Sequence, residues 1–123
     1  MRSVAIIGGG FSGTMVGVHL LRRALRGQTS VDHVLLFERS NRIAGGVAYG
    51  TDDPRHLLNV PAGRMSAFED DPDNFLRWLR TRDPRVSGGS FIPRKTYGEY
   101  IATLFRDTLA AASSAQVATS VDR

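Results

Sequence analysis

Cysteine is absent from the 123 residues of the chain. Its absence excludes disulfides, thiolate metal sites and a cysteine nucleophile. The three histidines, His19, His33 and His56, are too far apart along the chain to have metal-ligand spacing, and we expect no metal site. Chemistry in this protein must therefore come from other side chains, from the backbone or from a bound cofactor.

Lysine is almost absent as well, since the 16 cationic residues are arginines except for Lys95. A net charge of +4 could suit a nucleic-acid partner. The cations, however, are scattered along the chain, interleaved with acids, and never occur more than two in a row, whereas a nucleic-acid surface needs them clustered on one face. Arg22, Arg23 and Arg26 come closest, at the end of a predicted helix, where cations complement the helix dipole. We predict no nucleic-acid partner.

Long apolar runs are also missing. No run approaches the length of a membrane span, and the four apolar residues before the first glycines are too few for the core of a secretion signal. These absences predict a cytoplasmic protein with no membrane partner. The length suits one domain over residues 1–123, and 41% hydrophobic with 23% charged residues is typical of a globular protein.

Residues 1–38 have the pattern of a βαβ unit. Residues 4–7 and 34–37 are continuous apolar runs, typical of parallel strands that are covered on both faces. A helix is predicted between these two runs, and Gly27 is placed to end it as a C-terminal cap. The helix itself is indicated by small and apolar residues at three- and four-residue spacing: Gly13, Val16, Gly17, Leu20, Leu21 and Ala24. Strand, helix and strand in this order predict an α/β, Rossmann-like fold with a parallel sheet.

Residues 39–71 are rich in Gly, Pro, Asp and Asn, and we predict a long loop region with one short helical turn. A helix should follow, with Asp71 as its N-cap and Pro72 as its first residue. Residues 72–123 thus supply helices and the start of a strand.

The last helix of that part is expected to begin at Thr96, because Thr96 and Glu99 have the spacing of a capping box. Beyond it, weak alternation around Val117 and Val121 resembles a strand that has only begun. The predicted fold is therefore incomplete at its C-terminal end.

Residues 8–13, GGGFSG, match G-x-G-x-x-G directly between a predicted strand and a predicted helix. Gly8 permits the tight turn, Gly10 lets the backbone approach a diphosphate, and Gly13 lets the helix lie close to the sheet. A helix N-terminus binds a diphosphate through unpaired N–H groups, without a basic side chain. The pattern predicts dinucleotide binding, and the alternative is a glycine-rich turn with no ligand.

Glu38 ends the second predicted strand, where a carboxylate accepts hydrogen bonds from a ribose 2′-OH. The same carboxylate would repel a 2′-phosphate, which favours an adenosine ribose without one. Arg39 beside it weakens this preference.

A second glycine pair, Gly45 and Gly46, closes the segment ERSNRIAGG that starts at Glu38. Together with the N-terminal G-x-G-x-x-G and the acid, it resembles the FAD-binding fingerprint of the flavoproteins with two dinucleotide-binding domains. The stretches HLLNVPAGRMSAF and PRKTYGEY extend the likeness. The chain resembles the N-terminal FAD/NAD(P)-binding domain of a bacterial flavoprotein family that includes FAD-dependent urate hydroxylase-like proteins. The flavin N-hydroxylating monooxygenases are more distantly similar.

This resemblance implies FAD as cofactor, NAD(P)H as reductant and a monooxygenase-like oxidoreductase, with no catalytic residue or substrate assigned. Asn59, Met65 and Arg94 fall in its motifs and are expected near the flavin. It implies contacts to the FAD diphosphate and ribose from Gly8, Gly10, Phe11, Ser12, Gly13, Glu38, Arg39 and Gly46. We expect the chain to be a fragment without turnover. A non-catalytic module that holds NAD or FAD, and a purely structural or interaction domain, are the alternatives.

Overall fold

A computed structural model describes residues 2–40, 42–114 and 118–122, with the backbone alone at residues 113–114 and 118–122. The α helices are α1 (Phe11–Leu25), α2 (Asn74–Arg80) and α3 (Arg94–Ser114), and Ala62–Arg64 forms a single 3-10 turn. The strands are β1 (Ser3–Ile7), β2 (His33–Phe37) and β3 (Ala118–Asp122). The loop region after β2, with its one short helical turn, is as predicted.

The three strands form a parallel sheet in the order β1-β2-β3. In its register Ile6 lies opposite Leu36, and Leu36 lies opposite Val121. The α/β, Rossmann-like class is confirmed, and so is the strand expected around Val121. Part of the prediction for that strand, Val117, lies outside the described residues.

One face of the sheet carries the helices, where α1 contacts β1, β2 and α3. On that face Ile6, Val34 and Leu36 are buried. On the opposite face Ile7 is 81% exposed, so within the described residues this face is largely open. The expectation that both faces are covered is thus not met there, because a continuous apolar run does not reveal how many layers pack on a strand.

Helix α1 is rotated relative to the stripe predicted from the sequence. Val16, expected on the packed side, is 49% exposed. The buried side consists of Thr14, Met15, Gly17, Val18 and Leu21. Apolar residues occur on both sides of this helix, so spacing alone leaves its rotation ambiguous. Gly17 lies on the packed side as predicted, where a Cβ would lie 3.4 Å from the Phe105 ring and 3.6 Å from Ile6.

The predicted end of α1 is confirmed. Gly27 has φ +66° and donates its N–H to Ala24 O at 3.0 Å, while the Gln28 N–H bonds Arg23 O at 2.8 Å. These two hydrogen bonds form a Schellman motif, which satisfies carbonyls that a helix end otherwise leaves unpaired.

The predicted start of α2 is wrong by two residues. Its N-cap is Asp73 rather than Asp71, and no side chain caps it. The Asp71 carboxylate instead binds the Asn74 amide and the Arg77 guanidinium. The carboxylate that the local pattern assigned to the helix N-terminus is therefore part of a side-chain hydrogen-bond network instead.

Helix α3 begins at Arg94, so the predicted capping box is also wrong. The Thr96 N–H bonds Pro93 O at 3.0 Å, and Glu99 forms an ion pair with Arg82. Pro93 ends an extended segment, forms a β-bridge with Leu57 and directly precedes the helix. Thr96 therefore lies inside the first turn of α3.

Two tyrosines of α3 fasten the preceding loop to the core. The Tyr97 hydroxyl donates to Met65 O at 2.9 Å. The Tyr100 hydroxyl donates to Asn74 Oδ1 at 2.6 Å and accepts from the Ala67 N–H at 3.1 Å. Burial raises the pKa of both hydroxyls, so each stays protonated and available as a donor.

Candidate functional site

The glycine turn joins β1 to α1 by a very close approach. Gly8 has φ +98°, which favours glycine, and its N–H bonds Phe37 O at 2.8 Å. A Cβ on Gly13 would lie 1.9 Å from the Gly8 carbonyl oxygen. Any side chain at position 13 would therefore push α1 off the turn.

The N-terminus of α1 presents unpaired backbone donors. Its N-cap is Gly10, with no capping side chain, and its first turn contains no acid. The first intrahelical bond is that of the Thr14 N–H to Gly10 O, at 3.0 Å. In the described part of the chain nothing accepts from the N–H groups of Phe11, Ser12 and Gly13. These donors and the helix dipole favour an anion here.

Glu38 links this turn to the segment after β2. Its Oε1 accepts from the Gly9 N–H at 3.0 Å and its Oε2 from the Ser40 N–H at 2.6 Å. Hydrogen bonds from Ser40, by side chain and backbone, and from Gly9 lower the pKa of Glu38 from 4.5 to about 2. The carboxylate is therefore charged at neutral pH, and each oxygen keeps accepting capacity for a ligand hydroxyl.

Gly9 is held from two further directions that sequence reasoning missed. Its carbonyl accepts from the Thr14 hydroxyl at 3.0 Å and from the Ala44 N–H at 2.7 Å. Ala44 is 1% exposed and has φ +63°, the left-handed region that alanine seldom adopts. No sequence pattern indicated either residue, because both act through contacts that only the folded chain creates.

The two glycine motifs meet in the structure. A Cβ on Gly46 would lie 3.0 Å from the Gly10 Cα. The Gly46 carbonyl accepts from the Gly50 N–H at 2.7 Å, and a Cβ on Gly50 would lie 2.2 Å from Gly45 O. The backbone of Gly46 therefore lies directly against the backbone of the glycine turn. Gly50, which the sequence analysis did not single out, keeps Gly46 in this position.

A groove of about 540 Å³ extends from Glu38 and Gly46. Its size lies within the range of small-molecule sites. Arg42 forms part of its wall, bonded to Gly50 O and Asp52 Oδ1 at 3.1 Å each. The groove is lined by Glu38, Arg39, Ser40, Arg42, Gly45, Gly46, Val47, Gly50 and Thr51.

The structure places the other predicted site residues outside this lining. Asn59 is exposed and makes no hydrogen bond within the described chain, and Met65 is half-buried. Arg94 donates from Nε to Leu57 O at 3.1 Å and from Nη1 to Ala48 O at 3.3 Å. Arg94 thus ties together two parts of the long loop, a role that its sequence position did not reveal.

The arrangement as a whole can hold an anion at the helix N-terminus and a hydroxylated group at Glu38. Among the described residues no group of three His, Asp or Glu side chains could hold a metal ion. No helix within the described ranges has both the length and the hydropathy needed to cross a bilayer.

Comparison with known proteins agrees with this geometry. The model of a family described as FAD-NAD(P)-binding matches residues 5–123. No curated protein matches the chain. The matched residues include the glycine turn, Glu38, the second glycine pair and the loop tied by Arg94.

Proposed function

Because the chain belongs to the FAD-NAD(P)-binding family, we propose that residues 1–123 form one domain that binds FAD in a flavin-dependent oxidoreductase. The observation that carries the proposal is the set of free N–H groups at Phe11, Ser12 and Gly13, with glycine backbone close beside them.

The diphosphate of FAD is assigned to the N-terminus of α1. The N–H groups of Phe11, Ser12 and Gly13 donate to its oxygens, and the dipole of the 15-residue helix favours its charge. Gly10 and Gly46 lack the Cβ atoms that would fill the space between the two backbones. Gly8 acts indirectly, by setting the direction of the turn.

The adenosine ribose is assigned to Glu38. Its carboxylate, held in place by Gly9 and Ser40, accepts from the ribose hydroxyls. A 2′-phosphate would face this charge, which favours FAD or NAD over NADP at this site. Arg39 lines the same groove and is exposed, so it is placed to contact the outer edge of the nucleotide.

FAD is favoured over NAD by the second glycine pair. Gly46 brings a further stretch of backbone to the diphosphate position, and the groove beside it continues away from the turn. When bound, FAD supplies electron transfer. NAD(P)H is the proposed reductant, and the proposed activity is monooxygenase-like. Arg94 contributes by keeping the loop around residue 48 in place, and Asn59 has its amide free for the ligand.

Absorbance spectroscopy tests the cofactor. The purified protein is mixed with FAD, passed through a desalting column and examined for a retained flavin spectrum. Retained flavin is expected. A colourless protein that binds NADH tightly would overturn the assignment of FAD as the cofactor. A protein that binds neither nucleotide would overturn the proposed function.

Two variants test the mapped contacts. Gly10→Val should abolish FAD binding, and Glu38→Ala should weaken it by roughly tenfold, as expected for lost charge-assisted hydrogen bonds. Gly89→Ala is the matched control, since its Cβ would meet only Ser87 Oγ at 3.9 Å. Circular dichroism checks that each variant folds. If folded Gly10→Val and Glu38→Ala both bind FAD as the wild type does, the mapped site is wrong.

A further inference from the structure

Helix α1 has a second polar feature at its other end, about 21 Å from the glycine turn by helical rise. There a groove of about 470 Å³ contains three arginines of α1 and its C-terminal cap, Arg22, Arg23 and Arg26. Of the described residues that line it, Asp70 is the single acid. The groove therefore has a net positive charge.

Within the described chain the charge of Arg22 is partly compensated by Asp71, whose carboxyl pKa it helps to lower. No hydrogen bond or ion pair joins Arg22, Arg23 or Arg26 to a carboxylate there. The neighbouring Asp71 is already bonded to Asn74 and Arg77. This differs from the exposed arginines Arg55 and Arg85, which pair with nearby aspartates.

Arg22 is held in position by packing, whereas Arg23 and Arg26 are exposed beside it. The Arg22 guanidinium carbon lies 3.7 Å from the centroid of the Phe68 ring, and the ring of His19 meets the same phenyl edge-on at 5.7 Å. Phe68 is buried, so it forms a fixed wall for the cation. The helix dipole favours cations in the last turn, yet it does not account for a concave site with three of them.

Like charges three and four residues apart destabilise a helix, and Arg22, Arg23 and Arg26 have this spacing. A bound anion would remove that repulsion. Guanidinium groups match phosphate oxygens through paired N–H donors. The volume suits a small ligand. We propose that this groove binds the phosphate group of a small phosphorylated molecule, at a site separate from the glycine turn.

Pyrophosphate titration followed by ¹H–¹⁵N NMR tests the proposal. Chemical shifts of residues 19–28 should change and saturate. Because pyrophosphate can also occupy the N-terminus of α1, the location of the shifts separates the two sites. Changes confined to residues 8–13 would overturn this proposal and leave the proposed FAD site intact.

A double variant, Arg23→Gln with Arg26→Gln, should weaken pyrophosphate binding at residues 19–28 by tenfold or more. Arg22 is kept because it packs on Phe68. Arg55→Gln with Arg85→Gln removes the same charge elsewhere and should leave the affinity within about twofold. If both double variants weakened pyrophosphate binding equally, net charge alone would explain the loss of affinity. That result would overturn the proposal of a specific site. So would binding of a polyglutamate peptide but not of pyrophosphate, since the groove would then receive an acidic protein segment.

Discussion

The carboxylate of Glu38 accepts a hydrogen bond from the Gly9 N–H at 3.0 Å, which fastens the end of β2 to the glycine turn. The residue proposed to bind ribose therefore also positions the turn proposed to bind the diphosphate. One charged side chain couples the local stability of the site to its ligand contacts.

This coupling predicts an acid-sensitive contribution of Glu38 to stability. Its pKa is lowered to about 2 in the folded chain from 4.5, so the stabilisation is present above pH 4.5 and is lost as the pH falls towards 2. Urea unfolding should show Glu38→Gln less stable than the wild type at pH 7, with a smaller difference at pH 3. A difference independent of pH would contradict the assignment. Glu69→Gln is the control, because Glu69 is exposed and no described group donates to it.

Replacement of Gly13 by alanine should destabilise the fold strongly. The added Cβ would lie 1.9 Å from Gly8 O, and overpacking of this kind costs about 1–3 kcal/mol or more. Thermal or urea unfolding measures the loss. Gly89→Ala, whose Cβ would make only an ordinary contact with Ser87 Oγ, should change stability by less than about 0.5 kcal/mol. Equal effects of the two substitutions would contradict the close approach of α1 to the turn.

Ala44 should tolerate glycine better than an ordinary buried alanine does. Relief of the left-handed conformation, about 1–2 kcal/mol, offsets the lost methyl burial and the greater freedom of glycine in the unfolded chain. Ala62 is equally buried, at 1% exposure, and its φ is not positive. Ala62→Gly should therefore cost about 1 kcal/mol more than Ala44→Gly. The reverse order in urea unfolding would rule out strain at Ala44.

Loss of the Tyr100 hydroxyl should be costly because it leaves two partners unsatisfied. Tyr100→Phe removes the bonds to Asn74 Oδ1 and the Ala67 N–H, with an expected cost of about 1–3 kcal/mol. Tyr49→Phe keeps a half-buried ring and removes a hydroxyl with no partner in the described chain, so its effect should be small. If both variants unfold at the same urea concentration, the Tyr100 bonds do not stabilise the loop.

Much of the fold and part of the candidate site were predictable from sequence because their signals are local. Residues 8–13 between two apolar runs specify a strand, a turn without Cβ atoms and a helix start. Gly27 as C-cap follows from the same short-range rule. Glu38 could be placed because it directly follows the second run, and the later motifs pointed to a dinucleotide family.

Other features depend on neighbours that are distant in sequence, and local patterns misjudged or missed them. Glu99 has capping spacing, but Arg82, 17 residues earlier, takes its carboxylate. Asp71 also has capping spacing, but its carboxylate binds Arg77 inside the helix that follows. Val16 has helical spacing, but Met15 and Val18 take the buried side of α1 and Val16 is exposed.

The local order of residues was thus sufficient for the βαβ unit and its glycine turn, since backbone conformation and periodicity depend on near neighbours. The meeting of Gly46 with Gly10, the strained Ala44 on Gly9 and the loop ties of Arg94 needed the folded chain. Each joins segments more than thirty residues apart in sequence, and no local pattern encodes which of many such pairs will pack.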